Sequence, residues 1–133
     1  MSRSLSVTVT GKPQQQGSKT AYVIKGKAVM VEANKNLMPW RKQAIADIQA
    51  AVKDQHWQKP ETEGLTLTVA FYFDRPKTVK RNEMTIKPDT DHLIRAVGDA
   101  LTQAGAIPDD SQITLITASK HYGEARTEIT LFY

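Results

Sequence analysis

Aspartate is concentrated in one short segment, residues 87–112, whose sequence is KPDTDHLIRAVGDALTQAGAIPDDSQ. Five of the eight aspartates of the chain lie in these 26 residues and no glutamate does, although glutamate is the better helix former. The five are Asp89, Asp91, Asp99, Asp109 and Asp110. Short carboxylates grouped in this way favour a site for a hard divalent cation, which takes oxygen ligands.

The first part of this segment predicts an amphipathic helix. Asp89 follows Pro88 and is a favourable N-cap residue, and apolar side chains recur at helical spacing over residues 90–104. Gly105 then predicts the end of the helix, because glycine is common just after the last helical turn.

Three charged residues of the predicted helix admit a purely structural explanation. Asp91, Arg95 and Asp99 are four residues apart and would form an ion-pair stripe on the polar face. Each such pair, like an N-cap or a dipole-favoured acid, contributes about 0.3 to 1 kcal/mol. This explanation does not extend to the two aspartates that follow the helix.

The pair Asp109-Asp110 has two explanations. Turn chemistry alone accounts for a Pro-Asp-Asp sequence. Alternatively, Asp110 shares a metal site with Asp89 and Asp91. The helix spans about 24 Å, and five extended residues recover about 17 Å. A shared site within one chain is possible if the chain doubles straight back, because side-chain length covers most of the remaining distance. A contribution from a second subunit stays open.

Composition limits the classes of protein to which the chain can belong. A length of 133 residues predicts a single domain, residues 1–133. No apolar run approaches the roughly 18 residues of a membrane span, and the N-terminus lacks the apolar block of a signal peptide. We therefore expect a cytoplasmic protein without membrane association. The absence of cysteine excludes thiolate catalysis and cysteine–zinc sites, so a metal must be held by oxygen ligands or by histidine.

Positive charge flanks the acidic segment. The net charge is +4; residues 1–42 carry eight lysines and arginines against one acid, and residues 74–87 carry five against two. Basic surface around a carboxylate cluster suits an enzyme that acts on a polyanion, because cations hold phosphates while acids hold a metal. An ordinary solvated basic surface is the alternative.

The rest of the chain predicts an α+β fold. We expect a mixed sheet of about five to six strands, with two main helices on one of its faces. Arg41 and Lys42 fall in the first turn of the first helix, where the helix dipole disfavours cations, so either tertiary contacts or a bound anion must compensate. Besides the helix of the aspartate segment, the predicted elements are strands at 5–10, 65–73, 112–122 and 125–133, a hairpin about Lys25-Gly26-Lys27, a helix at 39–55 and a basic loop at 74–87.

The aspartate segment resembles the core motif of the RusA family of Holliday junction resolvases. That motif is approximately (R/K)-P-D-x-D-N-L-x-K-A-x-x-D-A-L, a short turn, and D-D-x-Q-(I/V). The matching residues are Lys87, Pro88, Asp89, Asp91, Leu93, Ala96, Asp99, Ala100, Leu101, Asp109, Asp110, Gln112 and Ile113. The motif covers about a fifth of the chain. GKPQQQGSK and Trp40-Arg41 are similar to features of phage-type members, so the resemblance extends over most of the sequence.

The resemblance implies a homodimeric endonuclease of phage or prophage origin that nicks four-way DNA junctions symmetrically. Mg²⁺, with Mn²⁺ as an alternative, would be the cofactor, and no small-molecule cofactor is expected. The essential metal-binding acids would be Asp89, Asp91 and Asp110, whereas Asp99 and Asp109 rank lower.

Two residues depart from the family motif. Arg95 replaces the family lysine, keeps the positive charge and can clamp a phosphate, but cannot accept a proton. His92 replaces the family asparagine and has four candidate roles: contact with the metal, with a phosphate or with water, or a structural role.

DNA backbone contacts are expected from the loop at about 12–27 and the loop at 74–87. The candidate residues are Lys12, Lys19, Lys77, Lys80, Arg81 and Lys87, with Arg41 ranked lower. Two other functions fit the same residues. One is a metal-dependent nuclease for flaps, forks or duplex DNA, and the other is a catalytically silent junction-binding protein.

Overall fold

Two helices and six strands form the fold, which is α+β as predicted. The computed structural model of the protein describes residues 2–17, 19–32 and 34–133. The elements, in chain order, are β1 (Ser4–Thr10), β2 (Lys19–Ile24), β3 (Lys27–Glu32), α1 (Leu37–Asp54), β4 (Leu65–Phe73), α2 (Thr90–Gln103), a 3-10 turn (Asp110–Gln112), β5 (Ile113–Tyr122) and β6 (Arg126–Phe132).

Four of the strands form a mixed sheet in the order β1-β6-β4-β5. β6 is antiparallel to both β1 and β4, whereas β4 and β5 are parallel. A parallel pair requires a long crossover connection, and here the connection contains the basic loop and α2. Since β4 lies between β5 and β6, the predicted central position of the strand at residues 65–73 is confirmed.

The prediction of one sheet of five to six strands is wrong for the described residues. β2 and β3 pair with each other as a separate two-stranded sheet. Its turn is Lys25-Gly26, and both residues have positive φ angles, 51° and 77°, as a two-residue hairpin turn requires. Val23 and Ile24 are exposed. None of the hairpin side chains that the structure describes, residues 23–30, is buried against the main sheet.

Both helices pack on one face of the main sheet. α1 contacts β1 and α2, and α2 also contacts β5. The apolar face predicted for α2 is correct, because Leu93, Val97 and Leu101 are fully buried. Burying each such side chain contributes about 1.5–3 kcal/mol. The core therefore fixes α2, and with it the position of its polar first turn.

None of the helices in the described residues has the length and apolar character needed to cross a membrane.

Two tertiary contacts hold the chain around the start of α2. The Lys120 ammonium group on β5 donates hydrogen bonds to the carbonyl oxygens of Ile86 (2.7 Å) and Pro88 (3.0 Å). The Gln16 backbone N–H donates to the His92 carbonyl at 3.1 Å. The end of the basic loop and the segment after β1 are thereby fixed on either side of the aspartate motif.

Candidate active site

The N-terminal end of α2 presents two exposed carboxylates. Asp89 occupies the N-cap position in an extended conformation, with φ −70° and ψ 139°, but its side chain makes no capping hydrogen bond. The predicted capping role of this carboxylate is therefore wrong, although the helix begins where predicted. Asp91 lies in the first turn, where the helix dipole favours negative charge. The two side chains are 58% and 78% exposed, so a ligand can reach both from solvent.

His92 completes a group of three possible metal ligands. Its Nδ1 lies 4.0 Å from Oδ2 of Asp89, and its Nε2 lies 3.9 Å from Oδ2 of Asp91. One ligand atom from each of the three residues lies within 4.8 Å of the other two. Among the residues that the structure describes, this is the one group of at least three acidic or histidine side chains that meets this distance.

Gly17 leaves the space that the His92 ring occupies. A β-carbon added at residue 17 would lie 2.8 Å from Cδ2 and 3.0 Å from Nε2 of His92. Real β-carbons essentially never approach so closely. The second glycine of the GKPQQQGSK segment is therefore required for the ring to remain in this position beside the carboxylates.

Asp110 lies beside the middle of α2, outside this group. It begins the 3-10 turn, and a β-carbon added at Gly98 would lie 3.7 Å from its Oδ2. Gly98 is seven residues beyond Asp91, which corresponds to about 10 Å along the helix axis. The chain therefore doubles back after α2, but in this conformation it brings Asp110 to Gly98 and not to Asp89 and Asp91.

Asp109 shapes the turn that precedes β5. Its Oδ2 accepts a hydrogen bond from the Ser111 backbone N–H at 3.0 Å. Hydrogen bonds from the Ser111 side chain and backbone lower the pKa of Asp109 below its ordinary value. The turn chemistry predicted for the Asp-Asp pair is thus present at Asp109.

Asp99 connects the two helices through Arg41 and Gln16. The Arg41 Nη2 atom lies 3.7 Å from Oδ2 of Asp99, and Gln16 donates a side-chain hydrogen bond to the same oxygen at 2.5 Å. Arg41 also donates a hydrogen bond to the Gln16 side-chain oxygen. Because α1 begins at Leu37, Arg41 lies just beyond the first turn, and the predicted first-turn position is wrong. The predicted tertiary contact is nevertheless present.

The predicted ion-pair stripe along α2 does not form. Arg95 is exposed and makes no ion pair with any described residue, while Asp99 pairs with Arg41. One helical turn after Asp91, the Arg95 guanidinium is thus available to an anion.

Five of the predicted DNA-contacting cations are exposed. Lys12 and Lys87 are exposed and line the same two depressions. Lys77, Lys80 and Arg81 are exposed on the irregular loop between β4 and α2. The side chain of Lys19 lies outside the described part of the structure.

Three residues that position the site were missed by the sequence prediction. They are Gln16, Gly17 and Lys120. A signal existed for Lys120, because it shares the core-facing side of β5 with Ala118 and Tyr122. A lysine on that side requires a polar partner.

Comparison with known proteins agrees with the motif. The family model described as "Endodeoxyribonuclease RusA" matches residues 7–132. The chain belongs to the RusA family. It is also similar to the uncharacterized protein YqaN of Bacillus subtilis (strain 168), with 30% identity over an alignment that covers 96% of this chain and 94% of that protein. The RusA match includes every residue of the candidate site.

Proposed function

We propose that this protein is a Mg²⁺-dependent endonuclease that resolves four-way DNA junctions by paired, symmetric nicks. The observation that carries the proposal is the exposed group of Asp89, Asp91 and His92 at the start of α2, within a chain of the RusA endodeoxyribonuclease family. Its place of action is the cytoplasm of a bacterial host, where the DNA is.

The side chains at the start of α2 suit a divalent cation. Carboxylate oxygens are the ligands that Mg²⁺ prefers, Mn²⁺ accepts the same ligands, and an imidazole nitrogen is an additional donor. The carboxylate of Asp89 is not used for capping, so its oxygens remain available. A cation held there supplies Lewis acidity and neutralises charge on the scissile phosphate.

The other residues of the site orient the DNA strand. Arg95 clamps a phosphate one helical turn from Asp91; it does not act as a base, because a guanidinium stays protonated. Asp110 reaches the metal-binding acids either by a shift of the turn before β5 or from a second subunit. The lysines and arginines of the two basic loops hold the backbone on either side: Lys12, Lys19, Lys77, Lys80, Arg81 and Lys87.

A homodimer gives the proposed reaction its symmetry. A junction must be cut on two strands, and a two-fold enzyme presents two equivalent sites to a two-fold substrate. Sedimentation analysis of the protein alone and with a junction measures the stoichiometry that this requires.

A panel of labelled substrates tests the proposed activity. The protein is incubated with a four-way junction, a flap, a fork and a linear duplex, each with and without Mg²⁺. The proposal predicts paired nicks in the junction that require the cation. Preferential cutting of flaps or forks indicates a nuclease for other branched DNA. Tight junction binding without cutting at any Mg²⁺ concentration indicates a silent binding protein.

Mixing two inactive variants decides where Asp110 acts. Asp91→Asn and Asp110→Asn subunits are combined and allowed to exchange. If Asp110 acts in the second subunit, the mixed dimer contains one intact site and recovers nicking of one strand. If Asp110 acts within its own chain, both sites of the mixed dimer are damaged and no nicking returns.

A further inference from the structure

A cavity of about 350 Å³ lies beside the candidate active site. It is located at the carboxyl ends of the parallel strands β4 and β5, where their last residues, Phe73 and Tyr122, line it. Met84 of the basic loop and Pro88 line it as well. Pro88 immediately precedes Asp89, the first candidate metal ligand, so the Cα atoms of these two residues are about 3.8 Å apart.

The walls of this cavity suit a flat apolar ligand. Phe73 and Met84 are 5% and 7% exposed, so core side chains line it. The volume falls within the range of about 300–1,000 Å³ that is typical of small-molecule sites. In open α/β sheets, ligands bind beyond the carboxyl ends of parallel strands, and β4 and β5 are the parallel pair of this mixed sheet.

Two lysines and one acid, Asp74, line the cavity, and both lysines also line a second depression. Lys12, Lys87 and Pro88 line both the cavity and a neighbouring depression of about 280 Å³, whose other lining residues include Gln14 and Gln15. Lysines and amides are suitable partners for phosphate and sugar oxygens. An apolar cavity next to a basic, polar depression is the arrangement that a nucleotide requires, with its base in one and its backbone in the other.

Tyr122 supplies a second indication of a ligand. Its phenolic oxygen is buried and has no hydrogen-bond partner among the described residues. A buried hydroxyl without a partner is costly. Because this oxygen is closed to solvent, a nucleobase in the cavity would provide the missing partner only after a rotation of the Tyr122 side chain. The Arg75 guanidinium carbon lies 5.3 Å from the centroid of the Tyr122 ring.

We propose that this cavity receives a nucleobase turned out of the DNA strand beside the scissile phosphate. The inference rests on the proposed nuclease function and adds a base subsite to it. A base is turned out of the stack most easily where it is already unpaired. The subsite therefore favours binding of branched DNA over an intact duplex. This preference does not require the protein to contact the branch point. The proposed occupant is a nucleobase; an apolar side chain from a second copy of the chain is the competing one.

Fluorescence of 2-aminopurine tests the inference directly. The base analogue is placed at each position flanking the cut in a four-way junction and in a matched duplex, and the Asp91→Asn variant is used so that the DNA stays intact. A base that leaves the stack gains fluorescence. We expect a several-fold increase at one position in the junction complex and little change in the duplex.

Filling the cavity supplies the matching protein variant. Ala125 lines the cavity, and its backbone carbonyl accepts a hydrogen bond from Gly11, which a larger side chain leaves in place. Ala125→Phe in the Asp91→Asn protein should abolish the fluorescence increase, whereas Ala46→Phe on the exposed side of α1 should preserve it. Ala125→Leu is the substitute if thermal melting shows that the phenylalanine variant does not fold.

An abasic junction makes the test independent of folding. The wild type should cut the junction that lacks the identified base as slowly as the Ala125→Phe protein, with Asp91 intact, cuts the complete junction. Removing the base should not slow the Ala125→Phe protein further.

An unchanged fluorescence at every position, in a junction that the protein binds and cuts, overturns the inference alone. An altered subunit stoichiometry of Ala125→Phe in the absence of DNA assigns the cavity to a second copy and also overturns it. Failure to bind or cut any junction overturns the proposed function together with the inference.

Discussion

The backbone of Gly17 passes so close to the His92 imidazole that a β-carbon at residue 17 would lie 2.8 Å from Cδ2 of the ring. The imidazole in turn lies 4.0 Å from Asp89 and 3.9 Å from Asp91. A loop that is distant in the sequence thus determines where a possible metal ligand lies.

Gly17→Ala should therefore weaken metal binding without removing any ligand. The added methyl group rotates the His92 ring away from the carboxylates, and disrupting the support of a ligand in this way typically costs about tenfold or more in metal affinity. Mn²⁺ titration by calorimetry measures the change. In a His92→Ala background the same substitution should have little effect. An equal reduction in both backgrounds would show that the methyl group acts on the loop and not through the ring.

The contact between Arg41 and Asp99 predicts a stability effect. The Arg41 side chain is 12% exposed, so Arg41→Ala leaves Asp99 and Gln16 without their shared partner. We expect a decrease of about 1–3 kcal/mol in the free energy of unfolding, measured by urea denaturation. Because the residues are in contact, the Arg41→Ala/Asp99→Ala double variant should be destabilised by less than the sum of the two single effects. Strict additivity would contradict an energetic link between the helices.

Neutralising Lys77, Lys80 and Arg81 to glutamine should weaken junction binding and its dependence on salt. The slope of log affinity against log salt should fall by about 0.9 for every phosphate that the variant no longer neutralises. The matched control neutralises Lys53 and Lys59, which are exposed and lie in the part of the chain that precedes β4. A salt slope equal to that of the wild type would remove the basic loop from the DNA interface.

Asp109 predicts a pH-dependent contribution to stability. Hydrogen bonds from Ser111 lower the pKa of Asp109 below the ordinary value of 3.8. The folded state therefore favours the carboxylate, and its contribution is present above pH 3.8 and is lost as the pH falls through the lower, folded-state pKa. Asp109→Asn should be less stable than the wild type at neutral pH. The difference between their urea midpoints should become smaller as the pH falls below 3.8. A difference that is constant with pH would contradict this assignment.

The local features of the aspartate segment could be predicted from the sequence. Helix α2 begins after Asp89 and ends before Gly105, whose φ is +79°. Both ends could be predicted because helix caps and apolar spacing depend only on neighbouring residues. The position of Asp110 could be predicted only in outline. Helix length and return path allowed Asp110 to come near Asp91, because side-chain length covers most of the remaining distance. In the structure Asp110 lies at Gly98, short of Asp91.

Long-range pairing could not be predicted. Spacing alone placed Asp99 in a stripe with Arg95, but such surface pairs contribute only a few tenths of a kcal/mol. Packing of α1 against α2 brings Arg41 to Asp99, and no local pattern encodes that contact. The hairpin of β2 and β3 is a similar case, since alternation predicts a strand but not the sheet to which it belongs.

The carboxylates themselves provide the most direct test of the central claim. Cleavage of a four-way junction with Mg²⁺ is compared for the wild type, Asp91→Asn, Asp110→Asn and the control Asp54→Asn, an exposed aspartate at the end of α1. Junction binding is measured in parallel. We predict that Asp91→Asn and Asp110→Asn abolish paired nicking and retain binding, while Asp54→Asn cuts like the wild type. Cutting that survives both Asp91→Asn and Asp110→Asn would contradict the assignment of the active site to the start of α2.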